Sequence, residues 1–147
     1  MELDALEPGE ELPYPLPADA KIVTIDEARA SLKEASNVLM VLQAMSDEAH
    51  DLTDELEVLL DQLPMHHPHV MEVAEHLGGL VGQWQGNVAR LECLGARIVC
   101  MTPGRLEWYG VVDRRMALFS WAMGETDIEW YYRMEESFPS RKPLIEA

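Results

Sequence analysis

One long amphipathic pattern, from Thr24 to Leu63, constrains the fold of this chain more than any other feature. Thr24 and Glu27 form a T-x-x-E capping box, with Val23 and Ala28 placed to close a hydrophobic staple. Behind that start, Ile25, Ala28, Leu32, Ala35, Leu39, Leu42, Ala49, Leu56, Leu60 and Leu63 recur on alternating steps of three and four. Ser46 and Thr53 are the polar entries in this seam. Such a seam fits a helix paired lengthwise with another helix. At about 1.5 Å per residue it would run roughly 60 Å, too long for one small core to cover.

The partner follows directly. Pro64 and Pro68 bracket Met65-His66-His67, and proline both ends one helix and suits the first turn of the next. Val70, Val73, Leu77, Leu80, Trp84, Leu91 and Leu94 repeat the spacing with Asn87 as the polar interruption, and Gly95 supplies a C-cap. This predicts a second helix over Pro68–Leu94, and so short a turn forces the two helices antiparallel. Val38-Leu39-Met40-Val41-Leu42 is apolar nearly all round, which predicts cover on more than one side and a natural seat for a sheet. Beyond it the outer faces carry Asp47, Glu48, Asp51, Asp54, Glu55, Glu57 and Asp61, so the hairpin tip is expected to protrude.

Gly78, Gly79, Gly82 and Gly86 lie inside the second helix. Each costs about 0.8–1 kcal/mol against alanine, about 3–4 kcal/mol together. Ala74, Gly78, Gly82 and Gly86 make an i, i+4 row on which another backbone can approach closely. Three readings follow: packing against the chain's own first helix or sheet, docking of a partner or second copy, or a bent helix.

From Ala96 the period changes to two. Strands are predicted at Ala96–Met101, Leu106–Val112, Met116–Met123 and Asp127–Met134, with Thr102-Pro103-Gly104-Arg105, Asp113-Arg114-Arg115 and Gly124-Glu125-Thr126 as connections. Connections this short make an antiparallel meander. The fold class is therefore α+β: a long antiparallel helical hairpin followed by a small three- to four-stranded β-meander packed at its base. The expected layout is an acidic, Pro-rich tail at 1–22, one domain at 23–137 and a C-terminal tail at 138–147. Tyr14 and Leu16 could dock the first tail, and Phe138 and Leu144 could anchor the last on the sheet.

Charge narrows the partners. Lys and Arg number 11 against 27 Asp and Glu, a formal charge of -16. A polyanion or an anionic membrane would be repelled, so neither nucleic acid nor membrane is expected as partner. No apolar run approaches the roughly 20 residues of a membrane span. Met1-Glu2-Leu3-Asp4 lacks the basic and apolar regions of a signal peptide. Cys93 and Cys100 form no C-x-x-C and read as buried free thiols, which fits a cytoplasmic chain.

Several of these residues also carry a resemblance. Val23-Thr24-Ile25-Asp26-Glu27-Ala28, Leu91-x-x-Leu94-Gly95, and the stretch from Trp121-Ala122-Met123-Gly124-Glu125 through Phe138-Pro139-Ser140-Arg141-Lys142-Pro143-Leu144 are similar to domain-of-unknown-function family 2203. Leu106-Glu107-Trp108 resembles that bacterial family's apolar-acidic-aromatic strand, and Asp113-Arg114-Arg115 its charged hairpin turn. The resemblance spans roughly residues 23 to 144 and implies a helical hairpin followed by a small sheet. It brings no known reaction. Ser120 stands where the family often has cysteine, Ala122 where it often has arginine and Tyr132 where it often has histidine. Any family chemistry using those side chains is expected to be lost here.

The sharpest constellation is the hairpin tip. From Glu34 through Ala89 there is no Lys or Arg, and all five histidines lie there among carboxylates. Asp47, His50, Asp51 and Asp54 share one helical face, and His69, Glu72 and His76 another; such spacings stack donor atoms as a divalent metal requires. The positions flank or oppose the seam, however, and read as a solvated acidic face. No metal site or cofactor is assigned. The glycines lie within a helix rather than opening one, and no phosphate loop, nucleophile elbow, dinucleotide fingerprint or H-E-x-x-H occurs. Glu107, Asp113, Glu125 and Glu129 read as a salt-bridged rim with Arg105, Arg114, Arg115 and Arg133. Trp108, Trp121, Trp130, Tyr131 and Tyr132 read as core.

The sequence therefore favours a non-catalytic interaction or assembly protein, binding a protein partner or a second copy through Gly78, Gly82, Gly86, Asp47, Asp51 and Asp54. The rival is a metal-binding protein or metal-dependent enzyme whose His/carboxylate ligands assemble only when hairpins associate.

Overall fold

A computed structural model describes residues 20–145. The N-terminal arm with Tyr14 and Leu16 lies outside the described residues. Within them run α1 (Ile25–Gln62), α2 (Pro68–Cys93), β1 (Ala96–Cys100), β2 (Arg105–Val112), β3 (Arg115–Ala122), β4 (Trp130–Arg133) and β5 (Lys142–Pro143). The class is α+β. The capping box forms: the Thr24 N–H donates to Glu27 Oε1 at 2.9 Å and the Glu27 N–H to Thr24 Oγ1 at 3.1 Å. From there α1 is continuous through Ser46 to Gln62.

The chain divides into two compact units, residues 38–90 and the remainder. In the first, α1 and α2 run antiparallel. Glu48 faces His76 at 3.1 Å, Glu55 lies 4.0 Å from His69, and Asn87 Nδ2 lies 3.9 Å from Met45 Sδ. The α2 seam is the predicted one. Along α1 and just past it, the buried and half-buried positions of this unit are Val38, Leu39, Leu42, Gln43, Met45, Ser46, Ala49, Leu52, Leu56, Leu59 and Leu63, whereas Thr53 and Leu60 are exposed. The expected seam is thus corrected at Thr53 and Leu60, each exposed where its preceding residue is half-buried; Ser46 is half-buried beside the buried Met45. Two successive steps of three, Leu39–Leu42 and Leu42–Met45, shift the buried line round the helix, after which the three-and-four alternation resumes.

The apolar belt is also corrected. Val38, Leu39 and Leu42 are buried, but Met40 and Val41 are 57% and 47% exposed. Five consecutive residues wrap the whole helix, and only those on the seam side meet apolar partners.

In the other unit the sheet order is β1-β2-β3-β4-β5, every neighbouring pair antiparallel. Five strands form rather than three or four. The extra one, β5, comes from the stretch read as a tail, and two residues including a proline carry no period-two signal. Pro143 is tolerated because β5 is an edge. Asp113 and Arg114, at φ 52 and 63, form the two-residue turn between β2 and β3, whose backbone twist suits a tight hairpin. One sheet face presents Leu106, Trp108, Phe119 and Trp121, all buried. The first turns of α1 join it there: Trp108 Nε1 donates to Ser31 Oγ at 3.2 Å, and Arg29 donates twice to the Ile128 carbonyl. Met123, expected on this face, is 42% exposed because β3 ends at Ala122. Nor are the thiols buried: Cys93 is exposed and Cys100 half-buried, both free.

Candidate functional site

On the hairpin, Asp47, Asp51 and Asp54 are exposed along α1, and Gly78, Gly82 and Gly86 along α2. At 100° per residue each row points directly away from its own seam, so the two rows occupy opposite outer faces of the hairpin. The structure does not bring them together. Among the described residues a Cβ built on Gly78, Gly79, Gly82 or Gly86 meets nothing within 4 Å, so the row is not packed against the described helices or sheet. Asp47, His50, Asp51, Asp54, His69, Glu72 and His76 are all exposed. Among the described residues, no three His, Cys, Asp or Glu side chains converge as a metal ion would require. Met45, Ala49, Leu77, Leu80, Val81 and Trp84 line a shallow apolar groove of about 130 Å³.

The most organised polar chemistry lies on the other face of the sheet. Glu107, expected on an exposed rim, is 3% exposed. Its Oε2 accepts a short hydrogen bond from the Tyr132 hydroxyl, and its Oε1 lies 2.9 Å from Arg97 Nε. Arg97 Nη1 in turn donates to the Tyr109 hydroxyl, closing a chain of two phenols, one carboxylate and one guanidinium. Register explains the assembly. Arg97 is the cross-strand neighbour of Glu107, Tyr109 follows two residues later on the same face, and Ser120 and Tyr132 approach from β3 and β4. Burial first, then the hydrogen bond to Glu107, pushes the Tyr132 hydroxyl well above the ordinary tyrosine range. Tyr132 therefore stays protonated and donates to the carboxylate. Tyr109 and Tyr132 also join Met116 and Leu118 in a buried apolar cluster, against which Ala20 and Ile22 pack.

Beside this chain opens a cavity of about 340 Å³. Lys21, Glu92, Arg97 and Tyr109 give it polar walls, and Ala20, Gly95 and Ala96 give it small ones. Lys21 Nζ donates to the Cys93 carbonyl at 2.9 Å, at the end of α2. Gly95 sits at φ +83, and a Cβ there would lie 2.9 Å from Val23 Cγ1, so this corner must stay bare.

The expected rim partners are rearranged. Glu125 pairs with Arg141 at 2.9 Å, Asp113 with Arg133 at 3.9 Å, and Arg105 stacks 3.7 Å from the Phe138 ring centroid. Sequence reasoning missed Arg97 as the partner of Glu107. The available signal was Glu107, Tyr109 and Val111 in period two with Arg97 one strand away. Ser120, the register partner of Glu107, and Tyr132, its hydrogen-bond donor, stand next to this carboxylate.

These features define an α+β protein in which a helical hairpin precedes a five-stranded antiparallel sheet carrying a buried acid–phenol–guanidinium chain. The chain belongs to the family described as Uncharacterized conserved protein (DUF2203), which it matches over residues 21–144. No curated protein and no solved structure matches it. No helix among the described residues is long and apolar enough to cross a membrane.

Proposed function

We propose that this protein is a non-catalytic interaction or assembly factor that uses its acidic hairpin to hold a protein partner with a basic surface. The observation that carries this reading is the open glycine row: four glycines weaken α2, yet among the described residues no atom occupies the space they leave. That space admits the backbone of another chain at short range. Asp47, Asp51 and Asp54, on the opposite outer face, act differently. With no Lys or Arg between Lys33 and Arg90, their field raises the encounter rate with a basic surface and repels a second acidic one. A basic partner is therefore preferred to a second copy.

The test compares affinity selection by the wild-type chain with that by Gly82→Leu and by an Asp47→Asn, Asp51→Asn, Asp54→Asn variant. The expected result is a basic protein retained by the wild type, lost by Gly82→Leu at unchanged helicity, and bound more slowly by the triple variant. Equal retention by all three overturns the reading. The metal-dependent rival has the His76–Glu48 pair in its favour. Stoichiometric metal in untagged protein, lost in His50→Ala, His76→Ala, would replace the interaction reading with it.

A further inference from the structure

The cavity beside β1 has two poles of opposite sign. At one, Arg97 is fixed by Glu107 at its Nε and by the Tyr109 hydroxyl at Nη1, while its side chain stays 48% exposed. Two of its five N–H groups are used in this way, and the planar head is held rigid by a buried partner. At the other pole stands the Glu92 carboxylate, in the last turn of α2. Lys21 also lines the wall, its Nζ held by the Cys93 carbonyl. Between the poles the floor is made of Gly95 and two alanines, which leaves room for a compact ligand. A volume of about 340 Å³ suits a small molecule rather than a polymer segment.

We propose that this cavity binds a small zwitterion of the α-amino-acid class, its carboxylate held by Arg97 and the Tyr109 hydroxyl and its ammonium by Glu92. A guanidinium edge matches a carboxylate in geometry and charge. The formal charge of -16 disfavours a simple anion at long range, and Arg97 and Lys21 disfavour a simple cation at short range. A ligand of zero net charge with separated poles meets neither penalty. This assignment is independent of the role proposed for the hairpin and uses none of the residues assigned to that role.

The experiment is a ligand-observed NMR and calorimetric titration of the full chain with the twenty common amino acids, alongside acetate, methylammonium and inorganic phosphate as half-ligands. The expected result is saturable binding of one or more amino acids, with each half-ligand at least tenfold weaker. Glu92→Gln replaces an exposed side chain, so helicity and Tm should hold while amino-acid affinity falls at least tenfold. Arg97→Gln should abolish binding, but it also strips Glu107 of its cation, so Glu92→Gln carries the decision. Absence of saturable amino-acid binding overturns the proposal. So does acetate or phosphate binding as tightly as the best amino acid, or a Glu92→Gln variant with undiminished affinity.

Discussion

Tyr132, on β4, donates its hydroxyl proton to the carboxylate of Glu107, on β2, across the intervening strand β3, with both side chains buried. Removing that donor leaves a buried carboxylate oxygen without its partner. Tyr132→Phe should therefore cost about 1–3 kcal/mol at neutral pH, read by chemical denaturation. The pH dependence has a definite sign. The folded-state pKa of Tyr132 is raised, so its contribution is complete below the unfolded value near 10 and is lost as pH climbs toward the folded one. The stability gap between wild type and Tyr132→Phe should narrow between about pH 9 and 11. A gap that stays constant over that range would show that Tyr132 titrates as it does in the unfolded chain.

Gly110 faces Phe119 so closely that a Cβ would lie 2.2 Å from Cε2 and 2.5 Å from Cζ. Phe119 is 2% exposed, and its ring has to shift before a Cβ can fit. Gly110→Ala should destabilise by about 1–3 kcal/mol or more through overpacking. Adding Phe119→Leu should recover part of the loss. If the single variant melts like wild type, the ring is freer to move than its burial implies.

Much of the fold was legible because its signals are long. The two helices rest on dozens of residues of periodic spacing, a capping box and two prolines, and their ends fall within a residue or two of expectation. What failed was local. The seam's extra step of three at Leu42–Met45 is set by which side of α1 has a neighbour, which a strict heptad count does not register. Met40 and Val41 are apolar yet open, since hydrophobicity alone does not say which side of a helix has a neighbour. The Glu107 chain was hidden for a different reason. A carboxylate's burial depends on which cation and hydroxyl the strand register brings to it, and Arg97, Glu107 and Tyr132 belong to three different strands. The cavity beside them is likewise built from residues far apart in the chain, Lys21, Glu92 and Tyr109 among them.

Gly78, Gly82 and Gly86 give a stability prediction separate from the partner. Since a Cβ at each meets open space, alanine should be accommodated without strain. Each Gly→Ala change should raise stability by about 0.8–1 kcal/mol, the cost glycine carries in a helix interior. Thermal or denaturant unfolding of the triple variant should show a clear gain over wild type. A loss instead of a gain would mean that the row packs against something within the folded chain, and the open face would vanish with it.

The start of α1 offers a test at acid pH. Glu27 accepts the Thr24 backbone N–H and donates its own N–H to the Thr24 hydroxyl, and the bond from Thr24 holds the Glu27 carboxyl below its ordinary pKa. A lowered folded-state value means that the contribution is present above the unfolded pKa and is lost as pH falls through the folded one. Glu27→Gln keeps an acceptor but removes the charge that favours the helix N-terminus. The variant should therefore be less stable than wild type at pH 7, with the two converging below about pH 4. Thr24→Ala should behave otherwise: it removes a cap acceptor that does not titrate, costing about 1 kcal/mol at either pH. Should Glu27→Gln keep its full deficit at pH 3, the carboxylate's charge would not be what stabilises this end, and the hydrogen bond alone would account for the box.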